Sequence, residues 1–240
     1  LALPLHTLPD LALLPAGSRM PFARNPLFVG RESDLRALAA AFVQGSTAAI
    51  GQIAAATGLG GIGKTQLAVE FAHRYGQFFP GGVFWLSFAD AAGVAGEVAA
   101  CGGPAGMNLP AFAELQQPDQ VARVRQLWQE GAPRLLVFDN CEDEALLAEW
   151  RPSSGGCRVL VTSRRAAWDD ALGLTVRALD VLPRAESLAL LRSFRPDLPE
   201  NDPTLDAIVA ELGDLPLALH LAGRYLKLNR HDLLTADYLA

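Results

Sequence analysis

The stretch GLGGIGKT at residues 58–65 decides the fold. It follows an apolar run, TAAIGQIAAAT at residues 47–57, and precedes a helical pattern in which Leu67, Phe71 and Tyr75 recur on one face. Glycines allow successive backbone N–H groups to turn towards one point without Cβ clashes, which forms a nest for phosphate oxygens. A helix that begins directly after the loop points its N-terminus at the same anion. Strand, loop and helix together predict a phosphate-binding loop.

Lys64 and Thr65 supply the polar side chains of this loop. In a loop of this pattern the lysine reaches the β- and γ-phosphates of a nucleotide, and the threonine offers its hydroxyl to Mg²⁺. The alternative is a glycine-rich turn with a solvated lysine, which the strand before it and the helix after it disfavour. A nucleotide and Mg²⁺ are therefore the expected cofactors.

Composition narrows the class of protein. Of the 240 residues, 50% are hydrophobic and 19% are charged, so the chain is expected to be globular rather than disordered. A formal net charge of −6 and the lack of a Lys/Arg cluster argue against a nucleic-acid-binding surface. Every apolar run is soon broken, so no membrane span is expected. Three cysteines without metal-ligand spacing predict buried thiols in a reducing cytosol; they are Cys101, Cys141 and Cys157.

The first 27 residues differ from the rest of the chain. They begin at Leu1 and carry no basic region before their apolar residues, so they do not resemble a signal peptide. Recurrent prolines predict an extended linker over residues 1–27. We therefore expect the chain to be a piece of a longer protein.

The order of the predicted elements indicates the fold class. Further strands are predicted at residues 81–88, 133–140, 156–165 and 174–179. The continuous apolar runs at residues 133–140 and 156–165 are typical of strands in a buried parallel sheet. Helical patterns alternate with them, including residues 30–44 and 118–129. This alternation predicts an α/β P-loop NTPase domain, a doubly wound parallel sheet of five strands, over residues 28–181. Only helical patterns follow, which predicts a small helical subdomain over residues 182–240.

Asp139 follows the apolar residues LLVF at the end of a predicted strand. Ligands bind at the carboxyl edge of open α/β sheets, and a carboxylate there can hold Mg²⁺ directly or through water. The alternative is an aspartate that simply begins a loop. The next residue is Asn140, which cannot accept a proton from an attacking water. Glu142 or Asp143 could take that role, or could belong to an ordinary solvated loop.

Arg164 lies just past the strand RVLVT. A guanidinium beside the γ-phosphate would distinguish ATP from ADP through a charge-assisted hydrogen bond. Alternatively, Arg164 and Arg165 are surface charges in a turn. Asp139 and Arg164 are the candidates for catalytic roles.

Five motifs occur in a characteristic order: FVGRE at residues 28–32, the glycine loop, LLVFDN at 135–140, VTSR at 161–164 and GDLPLAL at 213–219. In this combination the chain resembles the NB-ARC family of STAND-class signal-transduction NTPases, which includes plant disease-resistance proteins, apoptotic protease-activating factors and bacterial regulators. The resemblance covers residues 25–229, and the sequence of its motifs is similar to that of the bacterial branch of the family. It departs from the family at Asn140, where a second aspartate is usual, and at Asp214-Leu215.

The resemblance implies a role for each matching residue. The backbone of Val29, Gly30 and Arg31 would hold the adenine. Asp139 would bind Mg²⁺ through a water molecule, and Arg164 would be the sensor of the γ-phosphate. Pro216 would pack on the adenine, with Leu217 beside it. The phosphates would contact the loop and the start of its helix: Gly58, Gly60, Gly61, Ile62, Gly63, Lys64, Thr65 and Gln66.

The function implied by the resemblance is an ADP/ATP-binding molecular switch. It would control oligomerisation and effector activation in a larger cytoplasmic signalling or defence protein, including bacterial immunity, with slow or no ATP hydrolysis. The expected partners are an adenine nucleotide, further copies of the full-length protein, and fused effector and sensor domains outside this chain, with no nucleic acid and no membrane. A work-performing AAA-type ATPase is the alternative, and would show a carboxylate at position 140. A DNA-associated ATPase would need a basic DNA-reading element.

Pro216 is expected to begin the last helix, because proline favours the first turn. Four apolar residues then recur near one face, which predicts that they pack within the helical subdomain: Leu217, Leu221, Tyr225 and Leu228. His220 shares the face of Pro216, so we predict that it approaches the ribose or a phosphate oxygen. The alternative is a partly exposed histidine without ligand contact. A hinge is expected near residues 179–183.

Overall fold

The computed structural model describes residues 1–45, 47–52, 60–165, 167–199, 202–230 and 238. The chain divides into two compact units. The sheet unit contains Leu1–Arg24, Glu32–Gln52 and Lys64–Ala178, whereas the helical unit contains Asn25–Arg31, Ile53–Gly63 and Leu179–Ala240.

A five-stranded sheet forms the centre of the sheet unit. Its strands, in the spatial order β2-β3-β4-β1-β5, are β1 (Thr47–Gln52), β2 (Val83–Ser87), β3 (Leu135–Asp139), β4 (Arg158–Thr162) and β5 (Thr175–Leu179). The pairs β2–β3, β3–β4 and β1–β4 are parallel. The apolar runs of β2, β3 and β4 are buried almost throughout, as expected for strands that are covered on both faces. The predicted α/β fold with a five-stranded sheet is confirmed.

The described residues of the sheet unit form five α-helices: α1 (Glu32–Gln44), α2 (Lys64–Tyr75), α3 (Val94–Gly102), α4 (Gln117–Trp128) and α5 (Glu144–Trp150). The sequence pattern had indicated α1, α2 and α4 but not the other two. Both missed helices are short, so little periodicity marks them. The start of α5 is set by Asp143, whose carboxylate accepts hydrogen bonds from the N–H groups of Ala145 and Leu146. Short 3₁₀ turns lie at Gly76–Phe78, Ala91–Gly93, Phe112–Glu114 and Asp170–Leu172.

The segment before α1 is extended and packs on the edge of the sheet. The N–H of Arg19 donates to Val83 O, and the N–H of Trp85 donates to Arg19 O, at 2.8 and 2.9 Å. Arg19 thereby forms a parallel bridge beside β2, the outermost strand on this side. Unpaired edge strands favour association with other chains, and this pairing covers part of one. Residues of the expected linker are thus part of the sheet unit.

In the helical unit, the part that the structure describes contains three α-helices: α6 (Arg184–Phe194), α7 (Pro203–Glu211) and α8 (Pro216–Leu228). As the sequence predicts, Pro216 lies in the first turn of α8. The helices enclose one apolar core, to which each contributes: Leu190, Leu191, Phe194, Leu205, Ile208, Val209, Leu219, Ala222 and Leu226. Within the described part of the chain, no helix is long and apolar enough to cross a membrane.

The predicted inward face of α8 is wrong. Leu217, Leu221, Tyr225 and Leu228 are exposed by 48, 59, 50 and 79% of their surface. The core instead contains a second apolar stripe of the same helix, formed by Leu219, Ala222 and Leu226. Because α8 carries apolar residues on more than one side, periodicity alone cannot choose the buried stripe. Packing against α6 and α7 makes that choice.

Candidate nucleotide-binding site

The glycine loop is described from Gly60 to Gly63, whereas Gly58 and the rest of residues 53–59 lie outside the described residues. Gly61 and Gly63 have φ values of 96° and 99°. Only glycine adopts such angles without strain, and they let neighbouring N–H groups converge on an anion. α2 begins at Lys64, directly after the loop, and Gln66 is exposed in its first turn. The described part of the loop therefore has backbone angles that are compatible with an anion-binding nest.

Lys64 is a half-buried ammonium group close to charged neighbours in the sheet unit. Burial lowers its pKa; the carboxylates of Glu142 and Asp139 act in the opposite sense, and Arg164 lowers the pKa further. A phosphate beside Lys64 would favour the protonated form, because an opposite charge stabilises the ammonium ion.

Thr65 and Asp139 are brought together by the fold. The Thr65 hydroxyl lies 3.0 Å from Asp139 Oδ1, at the start of α2 and the end of β3. An octahedral Mg²⁺ ion with ligand bonds of about 2.1 Å separates neighbouring oxygen ligands by about 3.0 Å. The two oxygens therefore fit an Mg²⁺ ion.

Thr162 completes this group, although the sequence pattern did not single it out. It ends β4, the neighbour of β3, and its hydroxyl donates to Asp139 Oδ1 at 2.5 Å. The hydroxyl oxygen of Thr162 also accepts the N–H of Asn140 at 2.9 Å, where the chain turns with a left-handed φ of 60°. Thr162 thus holds the carboxylate of Asp139 in place. A threonine at the end of a strand was the only sign of this role.

Glu142 and Arg164, which the sequence left with open roles, form one cluster. Glu142 accepts hydrogen bonds from the N–H and Nε of Arg164 at 2.9 and 3.2 Å, and from the hydroxyl of Ser163 at 2.9 Å. Burial raises the pKa of Glu142, but these hydrogen bonds outweigh burial and the net pKa lies below its usual range. Arg164 remains 73% exposed. Glu142 is therefore an ionised anchor for Arg164 and a weak base.

Within the helical unit, Arg31 connects three segments. Gly30 and Arg31 form a turn with left-handed φ values of 63° and 61°. The buried guanidinium of Arg31 donates through Nη2 to Ile62 O at 3.3 Å and to Asp180 O at 2.6 Å. Val29 packs against the helical core. The expected adenine-side turn is thus bound to the glycine loop and to the segment after β5.

The start of α8 also contacts the glycine loop. The N–H of Leu217 donates to Gly61 O at 3.2 Å, and Pro216 is half-buried beside it. One turn later, His220 packs edge-on against Phe194, with ring centroids 5.1 Å apart. Burial lowers the pKa of His220, and the nearby Arg224 lowers it further. His220 is therefore neutral near pH 7.

No protein-family model matches the chain. Two relatives resemble it over most of its length. The regulatory protein AfsR of Streptomyces griseus is 32% identical over 216 residues, covering 87% of this chain and 22% of that protein. A nucleotide-binding leucine-rich repeat (NLR)-like protein of Hyaloscypha variabilis is 30% identical over 243 residues, covering 92% of this chain and 24% of that protein. The chain thus spans about a quarter of the length of these relatives or less.

Solved structures share the fold. The Walker-type ATPase PABY2304 of Pyrococcus abyssi has a TM-score of 0.60 and 14% identity, covering 91% of this chain and 71% of that one. Cdc6p of Pyrobaculum aerophilum has a TM-score of 0.59 and 13% identity, and the match covers 86% of this chain and 65% of that one. The Orc1 protein of Aeropyrum pernix, solved in complex with DNA, has a TM-score of 0.50 and 19% identity. The match covers 88% of this chain and 64% of that one. The chain has the P-loop ATPase fold.

Proposed function

We propose that the chain is an ADP/ATP-binding molecular switch of the NB-ARC type, the nucleotide-binding core of a larger regulatory protein. The observation that carries the proposal is the contact of the Thr65 hydroxyl, which directly follows the glycine loop and Lys64, with the carboxylate of Asp139. This is the set of groups that a nucleotide with its Mg²⁺ ion requires. Similarity to a regulatory protein and to an NLR-like protein supports the regulatory role.

In this proposal, Lys64 and the described glycines of the loop bind the phosphates, and Thr65 and Asp139 hold Mg²⁺. The ion would neutralise phosphate charge and orient the phosphate oxygens. Gly58 and Gln66 complete the proposed phosphate site.

Slow or absent hydrolysis belongs to the same proposal. General-base catalysis typically contributes 10²- to 10⁴-fold, and Asn140 cannot supply it. Glu142 is engaged by three hydrogen bonds, and Asp143 caps α5. None of these side chains is a good base, which favours a switch over a work-performing ATPase.

Arg164 is the proposed sensor of the γ-phosphate. Its side chain is 73% exposed and Glu142 holds it near the end of β4. A surface ion pair of this kind is weak, so Arg164 can release Glu142 and bind a phosphate oxygen with little loss of free energy. Removing the Arg164 guanidinium is expected to weaken binding of ATP analogues and to leave ADP binding nearly unchanged.

The adenine side of the proposed site consists of Val29, Gly30, Arg31, Pro216 and Leu217. His220 is the proposed contact to the ribose or a phosphate oxygen, with Pro216 over the base. Because the His220 ring also packs on Phe194, a role in the helical core is the competing interpretation. Protection of residues 179–183 from hydrogen exchange by ADP, lost in His220→Ala, would support ligand contact.

The wider biology remains part of the proposal. Self-association of the full-length protein, fused effector and sensor domains, a cytoplasmic location and a role in bacterial immunity all follow from the family resemblance. The domain limits at residues 28–181 and 182–240 also stay predictions.

A DNA-associated ATPase is the second candidate, because the similar Orc1 structure contains DNA. The net charge of −6 argues against a DNA-binding surface on this chain. Salt-dependent binding of duplex DNA at micromolar protein concentration would favour this candidate over the switch.

The deciding experiment identifies the nucleotide that the purified protein carries. Denaturation followed by chromatography should release ADP or ATP from the wild type, and Lys64→Ala should carry none. Lys227→Ala, which removes an exposed lysine on α8, is the matched control and should retain the nucleotide. A wild type that releases no nucleotide and has no measurable affinity for ADP would refute the proposal. Phosphate release at roughly 1–10³ s⁻¹, as in ordinary enzymes, would refute the switch in favour of a working ATPase.

A further inference from the structure

We infer that two donors from the helical unit orient the glycine loop for phosphate binding: the guanidinium of Arg31 and the backbone N–H of Leu217. This inference rests on the proposed function, since it requires a nucleotide whose phosphates bind the loop. It assigns Arg31 a role as a positioning residue through its side chain, in addition to the expected backbone contact with adenine.

The two donors bind consecutive carbonyl groups of the loop. The N–H of Leu217 donates to Gly61 O at 3.2 Å, and Arg31 Nη2 donates to Ile62 O at 3.3 Å. In a planar trans peptide, the C=O of one residue and the N–H of the next point in opposite directions. Fixing the direction of these two carbonyls therefore also fixes the direction of the N–H groups of Ile62 and Gly63. Adjacent N–H groups arranged in this way form an anion nest.

Arg31 is itself held firmly. Arg31 is 8% exposed, and its guanidinium also donates to Asp180 O at 2.6 Å. Five N–H donors in a rigid plane allow one arginine to bind several carbonyls, whereas lysine has a single ammonium group on a flexible stem. The left-handed turn at Gly30 and Arg31 directs the chain into α1 directly afterwards. Because Arg31 donates to both Ile62 O and Asp180 O, the position of the loop depends on residues that are distant in the sequence.

Leu217 uses a donor that α8 leaves available. The N–H groups in the first turn of a helix have no partner within that helix, and Leu217 lies in this turn after Pro216. Its side chain also rests on Gly61, because a Cβ on that glycine would lie 2.5 Å from the Leu217 Cβ. The first turn of α8 thus restrains the loop by a hydrogen bond and by contact.

The role can be tested because orientation of the loop affects phosphate binding and leaves base binding unchanged. Affinities for ADP and for adenosine should be measured by calorimetry on Arg31→Lys. We expect ADP to bind about tenfold more weakly, which corresponds to the loss of one to two hydrogen bonds. The affinity for adenosine should be unchanged within about twofold. Arg134→Lys is the matched control, since Arg134 is equally buried and donates to the Leu127 carbonyl; both affinities should be unchanged.

A second readout follows the loop directly. The amide resonances of Ile62 and Gly63 should shift strongly when wild type binds ADP, and much less in Arg31→Lys. If that variant fails to fold, the ADP and adenosine affinities of Leu217→Ala, with Leu221→Ala as its control, test the side-chain contact of Leu217 with the loop. Both leucines are exposed on α8 but only Leu217 rests on the loop, so only Leu217→Ala should weaken ADP binding, with adenosine affinity unchanged.

The outcomes separate this inference from the proposed function. A wild type without ADP affinity refutes the proposed function. A wild type that binds ADP, with Arg31→Lys binding it equally well or losing ADP and adenosine affinity in parallel, overturns the positioning role of Arg31. Equal effects of Leu217→Ala and Leu221→Ala on ADP affinity overturn the restraint of the loop by the Leu217 side chain.

Discussion

Replacing Thr162 by valine tests whether this residue holds Asp139 in place. Thr162 is 2% exposed at the end of β4. Its hydroxyl donates to Asp139 Oδ1 at 2.5 Å and accepts the N–H of Asn140 at 2.9 Å. Valine has nearly the same shape but no oxygen, so Thr162→Val removes both hydrogen bonds without opening a cavity.

The expected loss of stability follows from those two bonds. A hydrogen bond to a charged group contributes about 1.5–3 kcal/mol, and a buried N–H left without an acceptor costs about 1–3 kcal/mol. The N–H of Asn140 is only partly buried, so we expect Thr162→Val to lower the free energy of unfolding by about 2–4 kcal/mol. Thr162→Ser keeps the hydroxyl and removes one buried methyl group, which costs about 0.8 kcal/mol.

Urea denaturation with linear extrapolation gives the comparison, since both variants should unfold with the slope of the wild type. The stimulation of ATP binding by Mg²⁺ should also fall in Thr162→Val and persist in Thr162→Ser. A valine variant as stable as the serine variant, with Mg²⁺ stimulation intact, would refute the reasoning, because it would show that the hydroxyl does not position Asp139.

Three further predictions concern stability. Glu70 is 1% exposed and paired with two arginines, so Glu70→Gln should lower the urea-derived stability by about 2–3 kcal/mol, whereas Glu32→Gln in an exposed pair should change it by less than about 0.5 kcal/mol. On α8, Leu219→Ala should lower the free energy of unfolding by about 2–5 kcal/mol, and Leu221→Ala by less than about 0.5 kcal/mol. Equal losses of stability in thermal unfolding would contradict the assigned buried face. Burial raises the pKa of three thiols to about 12, and the folded state therefore keeps protons that the unfolded state releases above about pH 9. Stability should thus be full below pH 9 and fall as the pH rises towards 12, and a flat denaturation midpoint over this range would contradict burial of Cys101, Cys141 and Cys157.

The sequence alone determined the features that depend on a few neighbouring residues. Continuous apolar runs identified the strands β3 and β4, because such runs are stable only when both faces are covered. The glycine loop identified its own backbone geometry, since few other residues tolerate the φ values of Gly61 and Gly63. The position of Asp139 at a strand end and the start of α8 at Pro216 were predicted in the same way.

Tertiary structure alone decided which residues meet. Thr162 contacts Asp139 because β3 and β4 are neighbours, and Glu142 holds Arg164 because two loops leave those strands at the same edge of the sheet. Arg31 reaches Asp180 across 149 residues of sequence. The buried stripe of α8 is chosen by α6 and α7, since two apolar stripes compete on one helix. Local preferences act over one or two turns of chain, whereas these contacts depend on strand order and on competition between alternative packings, which no short segment encodes.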